Sequence, residues 1–510
     1  MPWFRYLSFL LLSSVLCAQQ LTFATYQGGS GTETTAGIAR DSAGNVYLAG
    51  STDSTDFPVL STAGGGFVVK LDSNGTRQAY FMLPGVAVNA IAVDASNNVV
   101  IAGTMPAGTL PPSTGAYSTP KGTGFIAKFS SQGALAWYTY LGGSTYDAAT
   151  AIALDRSGNI YLAGNTDSVD FPKAGKQVPD CHIGGRPFLA ELDPTGTKLL
   201  LTTGLSGIGY DQVFAMAFDA AHSLVYLAGD AASEVFFATP GAAQTNFAGG
   251  DADSFVARID LTLQPQLVVS CVLNAASLMA GNTSSFPTGA VAPGEIVSLF
   301  GVGLGPTPAA QLQSTSAGTV ATALGGTQGL FDGVPAPMLY AADGQINAVV
   351  PYGIKTPLTR MTVQSGALSV GPIPMPVVAA VPAIFSYDGS GSGQAVALNS
   401  DSTYNTVATP AVRGTYITFY ACGAGLMSTS SDGAVTPLTS PWPAPQQPAT
   451  VTIRGVDAQV LYAGAAPGYV SGLLQINVVV PTGIDFGDHL QLRLNIGNYS
   501  SQLDISIVGK

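Results

Sequence analysis

The chain has 510 residues, of which 46% are hydrophobic and only 9% charged, with 62 glycines and 33 prolines. Average soluble domains carry about 25% charged residues, and here the apolar residues fall in short runs broken by Gly, Asn, Asp and Pro. That pattern predicts an all-β protein of many short strands and tight turns, with strands buried on both faces. The formal net charge of −12 comes without any Lys/Arg run, which excludes a nucleic-acid footprint and attraction to an anionic membrane.

Arg5 followed by the apolar stretch 7–16 reads as an export signal, too short to span a bilayer. Cleavage after Ala18 leaves Gln19 first, so residues 1–18 are expected to be a signal peptide. The mature protein is then expected to be secreted or held at the cell surface. An uncleaved anchor is the alternative. Lipidation at Cys17 is disfavoured, because Leu16 precedes it where a small residue is needed. No later segment reaches membrane-span length.

Four copies of one motif follow, Ala-Ile-Ala-x-Asp and then Tyr-Leu-Ala-Gly after a short turn. Their aspartates are Asp41, Asp94, Asp155 and Asp219, spaced 53, 61 and 64 residues apart. A second motif follows each copy, at 67–76, 125–134, 188–197 and 255–264. A third, at 136–147 and 200–211, has its best counterpart at 22–33, ahead of the first copy. Each unit of about 60 residues thus holds four short strands, with turns at Gly44 and Gly158 and at Asn74-Gly75, Gln132-Gly133 and Thr195-Gly196 suited to positive φ. Four antiparallel strands per repeat predict a propeller blade. Over 19–266 we expect a four-bladed β-propeller, closed by residues 22–27 as the outermost strand of the last blade.

The pattern Asp-x-x-Gly-Asn-x-Tyr-x-Ala-Gly-x-Thr-x-Ser-x-Asp-Phe-Pro at 41–58 and 155–172 resembles the bacterial SBBP propeller repeat. Tyr140-Leu141-Gly142-Gly143-Ser144 and Thr239-Pro240-Gly241-Ala242 add to the resemblance, which covers about 21–265. Copies two and four depart from it at Asn97 and at His222-Ser223, where the turn Gly or Gly-Asn is missing. The resemblance implies a propeller and no common activity. NHL-type propellers, whose usual work is binding, are distantly similar at the Asp-x-x-Gly-Asn turn.

From about 266 the sequence is a tandem. Pro293-Gly294-Glu295-Ile296-Val297-Ser298-Leu299-Phe300 corresponds to Arg413-Gly414-Thr415-Tyr416-Ile417-Thr418-Phe419-Tyr420. Gln345-Ile346-Asn347 corresponds to Gln475-Ile476-Asn477. We expect two β-sandwiches, 267–382 and 383–510. Asn274-Ala275-Ala276-Ser277 and the paired Gln-Ile-Asn motifs resemble a C-terminal domain found on many secreted proteins of soil bacteria. The Pro-Gly-Glu-Ile-Val-Ser-Leu-Phe-Gly opening is similar to IPT/TIG immunoglobulin-like domains.

The mature chain keeps Cys181, Cys271 and Cys422, an odd number. Buried thiols are the preferred reading, and Cys271 with Cys422 is the pair to test. The four repeated aspartates could bind calcium, but one carboxylate per turn fits a turn cap better. Cys181-His182 has too few companions for zinc, since the chain has only three histidines. No nucleophile elbow with a following Asp and His is present. No catalytic, metal or cofactor residues are therefore assigned.

The loops between second and third strands, 53–66, 105–123, 167–186 and 231–252, would share one face. They carry Phe57, Tyr117, Phe171, Phe236, Phe237 and Phe247, the candidate ligand-facing residues. Because Phe57 and Phe171 repeat in register, packing of each loop on its own blade is the favoured reading for those two. The function expected is non-catalytic extracellular binding or adhesion to an unknown glycan or protein. An exported carbohydrate-active enzyme and a structural matrix component are the alternatives.

Overall fold

The computed structural model describes residues 22–57, 64–106, 111–119, 121–168, 170–175, 186–205, 211–232, 242–244, 247–263, 266–279, 289–429, 431–485 and 487–510. Every regular element among them is a strand. The chain divides into two compact units, the first comprising 1–174, 189–202 and 214–217 and the second 175–188, 203–213 and 218–510.

The repeats form separate antiparallel sheets. The first holds β1 (Glu33–Arg40), β2 (Val46–Thr52), β3 (Gly65–Leu71) and β4 (Arg77–Pro84). The second holds β5 (Ala87–Val93), β6 (Val99–Thr104), β7 (Gly124–Phe129) and β8 (Leu135–Leu141). The third holds β9 (Asp147–Leu154), β10 (Ile160–Thr166), β11 (Arg186–Leu192) and β12 (Leu199–Gly204). Their first strands β1, β5 and β9 pack in succession. One core joins the facing sheets through Tyr47, Ala49 and Val68 on one side and Val88, Ile101 and Phe125 on the other. Burial on both faces, as in β6 and β10, is what the uninterrupted apolar runs predict.

The turn between first and second strands keeps its shape when its glycine is lost. Gly44 and Gly158 have φ of 88° and 82°, and Asn97 and His222 take 64° and 59° at the same place. Asn and His are among the residues that tolerate this region best. The glycine of Tyr-Leu-Ala-Gly is required by close approach within its own sheet. A Cβ at Gly50 would lie 2.1 Å from Thr34 O, and one at Gly103 would lie 1.9 Å from Ala87 O, each on the neighbouring strand of its own sheet.

The fourth sheet departs from expectation. Among the described residues it contains β13 (Asp211–Phe218), β14 (Leu224–Ala231) and β15 (Asp253–Asp260) and no fourth strand. Residues 22–32 lie outside every strand, so the sheets do not close as a ring in this structure. The segment is held by side chains instead: Phe23 lies against Gly75, and Arg77 Nη2 donates to Gln27 Oε1 at 2.9 Å. Ile38 on β1 is 69% exposed and Val256 on β15 is 76% exposed, the mark of uncovered sheet faces.

In the tail, two sheets enclose each of two cores. In the first pair, Val268–Asn274, Ile296–Val302, Gln345–Val349 and Met338–Ala342 face Thr327–Phe331, Leu358–Ser365 and Leu368–Pro376. Val297, Leu299, Phe331, Ile346 and Met361 meet between them. In the second, Tyr416–Cys422, Leu474–Val479 and Val460–Ala465 face Ala449–Ile453, Gly487–Ile496 and Ile505–Gly509 over Ile417, Phe419, Ile476, Leu492 and Ile505.

The two pairs share a register. Ser298 pairs with Asn347 and Phe300 with Gln345, as Thr418 pairs with Asn477 and Tyr420 with Gln475. Gly294 N donates to Val350 O at 2.9 Å, as Gly414 N does to Val480 O at 3.0 Å.

A smaller cluster that includes Ala276, Ile296, Val349, Ala383, Cys422 and Val470 joins the halves. Cys271 is disulfide-bonded, whereas Cys422 is a free, buried thiol donating to Asn274 Oδ1 at 3.3 Å. The pair to test is therefore not formed, and the preferred reading of buried thiols holds for Cys422 and fails for Cys271.

Candidate binding site on the repeats

Because the strands alternate in direction, each sheet has a turn end and a loop end. At the loop end of the first and third sheets, the connection into the first strand is clasped by the segment that follows the second. In the third sheet, Asp147 is fully buried and accepts from Thr166 Oγ1 (2.5 Å), Ser168 Oγ (3.2 Å) and Gly143 N (2.9 Å). Ser144 N donates to Asp170 Oδ1 at 2.7 Å. In the first sheet Glu33 accepts from Thr52 Oγ1 (2.7 Å) and Ser54 Oγ (2.5 Å), and Ser30 N donates to Asp56 Oδ1 at 2.7 Å. Burial pushes the Asp147 carboxyl up, whereas the hydroxyls of Ser54 and Thr52 hold that of Glu33 down. The Thr, Ser and Asp of the repeated motif thus fasten one sheet's entry strand to its own loop.

The loop aromatics divide. Phe57 is 1% exposed and stacks on Phe67 with ring centroids 4.8 Å apart, in a cluster with Val69 and Leu71. Tyr117, Phe171 and Phe247 are half-buried. Tyr117 is fixed by its backbone, its N donating to Gly196 O at 2.8 Å. Phe236 and Phe237 lie outside the described residues, as does Cys181-His182.

Residues 22–58 and 136–172 match the model of SBBP, a beta-propeller repeat. Each matched stretch runs from the third motif through the clasp to the Asp-Phe-Pro. Comparison with curated proteins gives no match. Among solved structures, the chain is similar to the periplasmic gluconolactonase of Pseudomonas aeruginosa, with 10% identity, 67% of this chain and 86% of that chain covered, and a TM-score of 0.25. For the Cps50 (Swd1) beta-propeller domain of Myceliophteria thermophila the values are 10%, 65%, 98% and 0.24. For the GH74 enzyme of Niastella koreensis they are 13%, 92%, 66% and 0.25.

The turn end of the repeats shows what the four aspartates do. Asp41 Oδ1 accepts from Asn45 N at 2.8 Å, Asp94 Oδ1 from Asn98 N at 2.8 Å, Asp155 Oδ1 from Asn159 N at 2.8 Å, and Asp219 Oδ1 from Ser223 N at 2.8 Å. They are turn caps. Burial works against ionisation of Asp41 and Asp94, but bonds from Asn45 and Asn98 and the nearby lysines hold both carboxyls low.

Those lysines are repeat residues of the second motif. Lys70 Nζ lies 3.9 Å from Asp41 Oδ2 and donates to Ser131 O in the next sheet. Lys128 Nζ lies 2.9 Å from Asp94 Oδ2 and donates to Pro194 O in the sheet after that.

The third sheet breaks the row. Glu191 stands where Lys70 and Lys128 stand, in Phe-Leu-Ala-Glu-Leu against Phe-Val-Val-Lys-Leu. Burial raises the Glu191 carboxyl, the charge of Asp155 adds to this, and hydrogen bonds from Tyr161 and Asn159 oppose it. Burial likewise raises the Tyr161 phenol. The sequence reading passed over this pair of carboxyls. Aligning the second motifs column by column reveals it, as the only acid among Lys70, Lys128, Glu191 and Arg258. Among the described residues no group of three or more His, Cys, Asp or Glu is placed to hold a metal ion.

Proposed function

We propose that this is a non-catalytic extracellular binding or adhesion protein, whose propeller loop end engages a glycan or a protein. In this reading the export signal is removed and the protein is secreted or held at the cell surface. The tail sandwiches are immunoglobulin-like and act as spacer or docking module.

One observation carries the functional reading. The recurring polar side chains of the loop end, Glu33, Ser54, Asp56, Asp147, Ser168 and Asp170, are engaged in the internal clasps. The loop residues that vary from repeat to repeat, among them Tyr117 and Phe247, are left to meet a partner.

The test is to screen the mature protein on glycan and cell-wall arrays beside a variant with Tyr117→Ala and Phe247→Ala. Binding by the parent that the variant loses supports the reading. Turnover of a polysaccharide without retained binding overturns it.

A second reading, an exported carbohydrate-active enzyme, is favoured by Glu191 beside Asp155. A carboxyl raised by burial beside a second carboxyl is the kind of pairing that acid–base hydrolysis uses. Glu191→Gln would abolish any polysaccharide turnover in that case and leave array binding unchanged in ours.

A further inference from the structure

The duplicated tail provides its own internal comparison. Both sandwiches carry a pair of amides along one strand of an outer face, two residues apart. Gln345 Nε2 donates to Asn347 Oδ1 at 2.9 Å in the first, and Gln475 Nε2 donates to Asn477 Oδ1 at 3.1 Å in the second. The residues beside the pair have diverged. In the first sandwich they are Ile296 and Ser298, 6% and 2% exposed, with Ile296 in the cluster that joins the halves. In the second the same register holds Tyr416 and Thr418, and Tyr416 is 41% exposed.

More tyrosines converge on that second face. Tyr404, 55% exposed, bridges Leu398 on the strand that pairs with Tyr416–Cys422. Its ring meets that of Tyr387, 60% exposed, edge to face at 5.8 Å. Tyr420 is half-buried on the same strand as Tyr416, and its electrostatic neighbours are the phenols of Tyr469 and Tyr404. Beyond the amide pair, Tyr462 pairs with Asn477 and meets the Trp442 ring at 5.6 Å. Across four strands the face spans about 14 Å.

We propose that this face of the second sandwich is a binding platform for a neutral glycan. Tyrosine offers a rigid ring against which the C–H face of a sugar can lie, with a hydroxyl for its edge. Asn477 and Gln475 each bring both a donor and an acceptor, which is what vicinal hydroxyls require. Tyr387, Tyr404, Tyr416, Tyr420, Gln475 and Asn477 are all uncharged, and the nearest carboxylates in sequence, Asp388 and Asp401, are held by their own turns through Ser390 N and Thr403 N, so the face itself matches an uncharged polymer. The first sandwich keeps the amides but replaces Tyr416 by Ile296, and Ile296 is covered by protein. This site is separate from the propeller loop end and does not depend on it.

The experiment is affinity electrophoresis of the full mature chain through gels containing hydroxyethylcellulose, xyloglucan, galactomannan or laminarin. The parent should be retarded in at least one of these gels. Tyr404→Ala with Tyr416→Ala should weaken that retardation by ~10-fold or more at an unchanged melting temperature. Tyr416→Phe, which keeps the ring, should stay close to the parent. Tyr469→Ser provides a second exposed position, should the double variant fold poorly. Free migration of the parent in all four gels overturns the proposal. So does retardation that these variants leave untouched, and in that case loss of retardation on Tyr117→Ala with Phe247→Ala would assign the binding to the propeller.

Discussion

The ammonium of Lys128 lies 2.9 Å from Asp94 Oδ2, with the two side chains only 14% and 12% exposed. The same nitrogen donates to Pro194 O of the following sheet. One cation therefore neutralises a turn cap and fastens two sheets.

Removing it leaves a largely buried carboxylate with its asparagine bonds alone. Lys128→Met should cost about 2 kcal/mol, below the range for fully buried pairs because this one sits at the sheet end. The Asp94 carboxyl is held below its ordinary value, burial notwithstanding, by Asn98 and Lys128. Its contribution is present above the unfolded value near 3.8 and is lost as pH falls through the lower folded one. Urea titrations from pH 2 to 7 should show a shallower acid slope for Lys128→Met than for the parent.

Glu191 has the opposite sign. Its folded-state carboxyl is raised by burial, so stability is full below the unfolded value near 4.5 and is lost as pH rises through the folded value. Glu191→Gln should remove that loss, leaving the melting temperature flatter between pH 4 and 8. Glu191→Lys restores the row and should add on the order of 1 kcal/mol at pH 7. A melting temperature below the parent's would show that the third sheet needs the acid.

Phe57 is a core residue in a loop. Phe57→Ala removes its stacking on Phe67 and should cost ~3–5 kcal/mol. Chemical denaturation is the check, and a change under 1 kcal/mol would mean that the loop holds to its sheet without this ring.

In the tail, Glu295 is wholly buried, accepting from Ala292 N at 2.8 Å and from Asn274 Nδ2 at 2.9 Å. Burial pushes its carboxyl up to about 8, against the help of those two bonds. Stability contributed by the protonated form is present below about 4.5 and is lost as pH rises through about 8. Glu295→Gln should melt at a nearly constant temperature from pH 6 to 9, where the parent declines.

Burial also raises the Cys422 thiol, as does the charge of Glu295. Cys422 should therefore ignore Ellman's reagent in the native protein and react fully in guanidinium. Native reactivity would mean that the joint between the halves opens.

Periodic features were legible in the sequence because the physics that repeats leaves a residue that repeats. Asp41, Gly44 and Gly75 announced their turns, and Asn97 and His222 hid nothing, since both adopt the glycine's φ. Four strands per repeat could be read for three sheets. The lack of a local outer strand after β15 was legible as well, but the pairing expected of 22–27 was not, because it depends on geometry between sheets rather than on any local pattern. Phe57 was ambiguous for a related reason: Asp-Phe-Pro describes a loop and says nothing of the Phe67 ring beneath it. Glu191 was missed because it preserves the alternation of its strand while reversing the charge. The tyrosine face escaped notice because Tyr404 and Tyr416 are distant in sequence and only sheet pairing unites them.

The clasps have a consequence for how such chains lengthen or shorten. The fastening between Ser144 and Asp170 straddles the start of a sheet, so the smallest self-contained segment is out of phase with the sheets themselves. A deletion or insertion cut at a sheet boundary would sever a clasp and orphan a buried carboxylate such as Asp147. One cut just after an Asp-Phe-Pro would move an intact joint with its strands. Libraries of designed wheels with more or fewer spokes should therefore be spliced at that tripeptide, whatever the strand count would suggest.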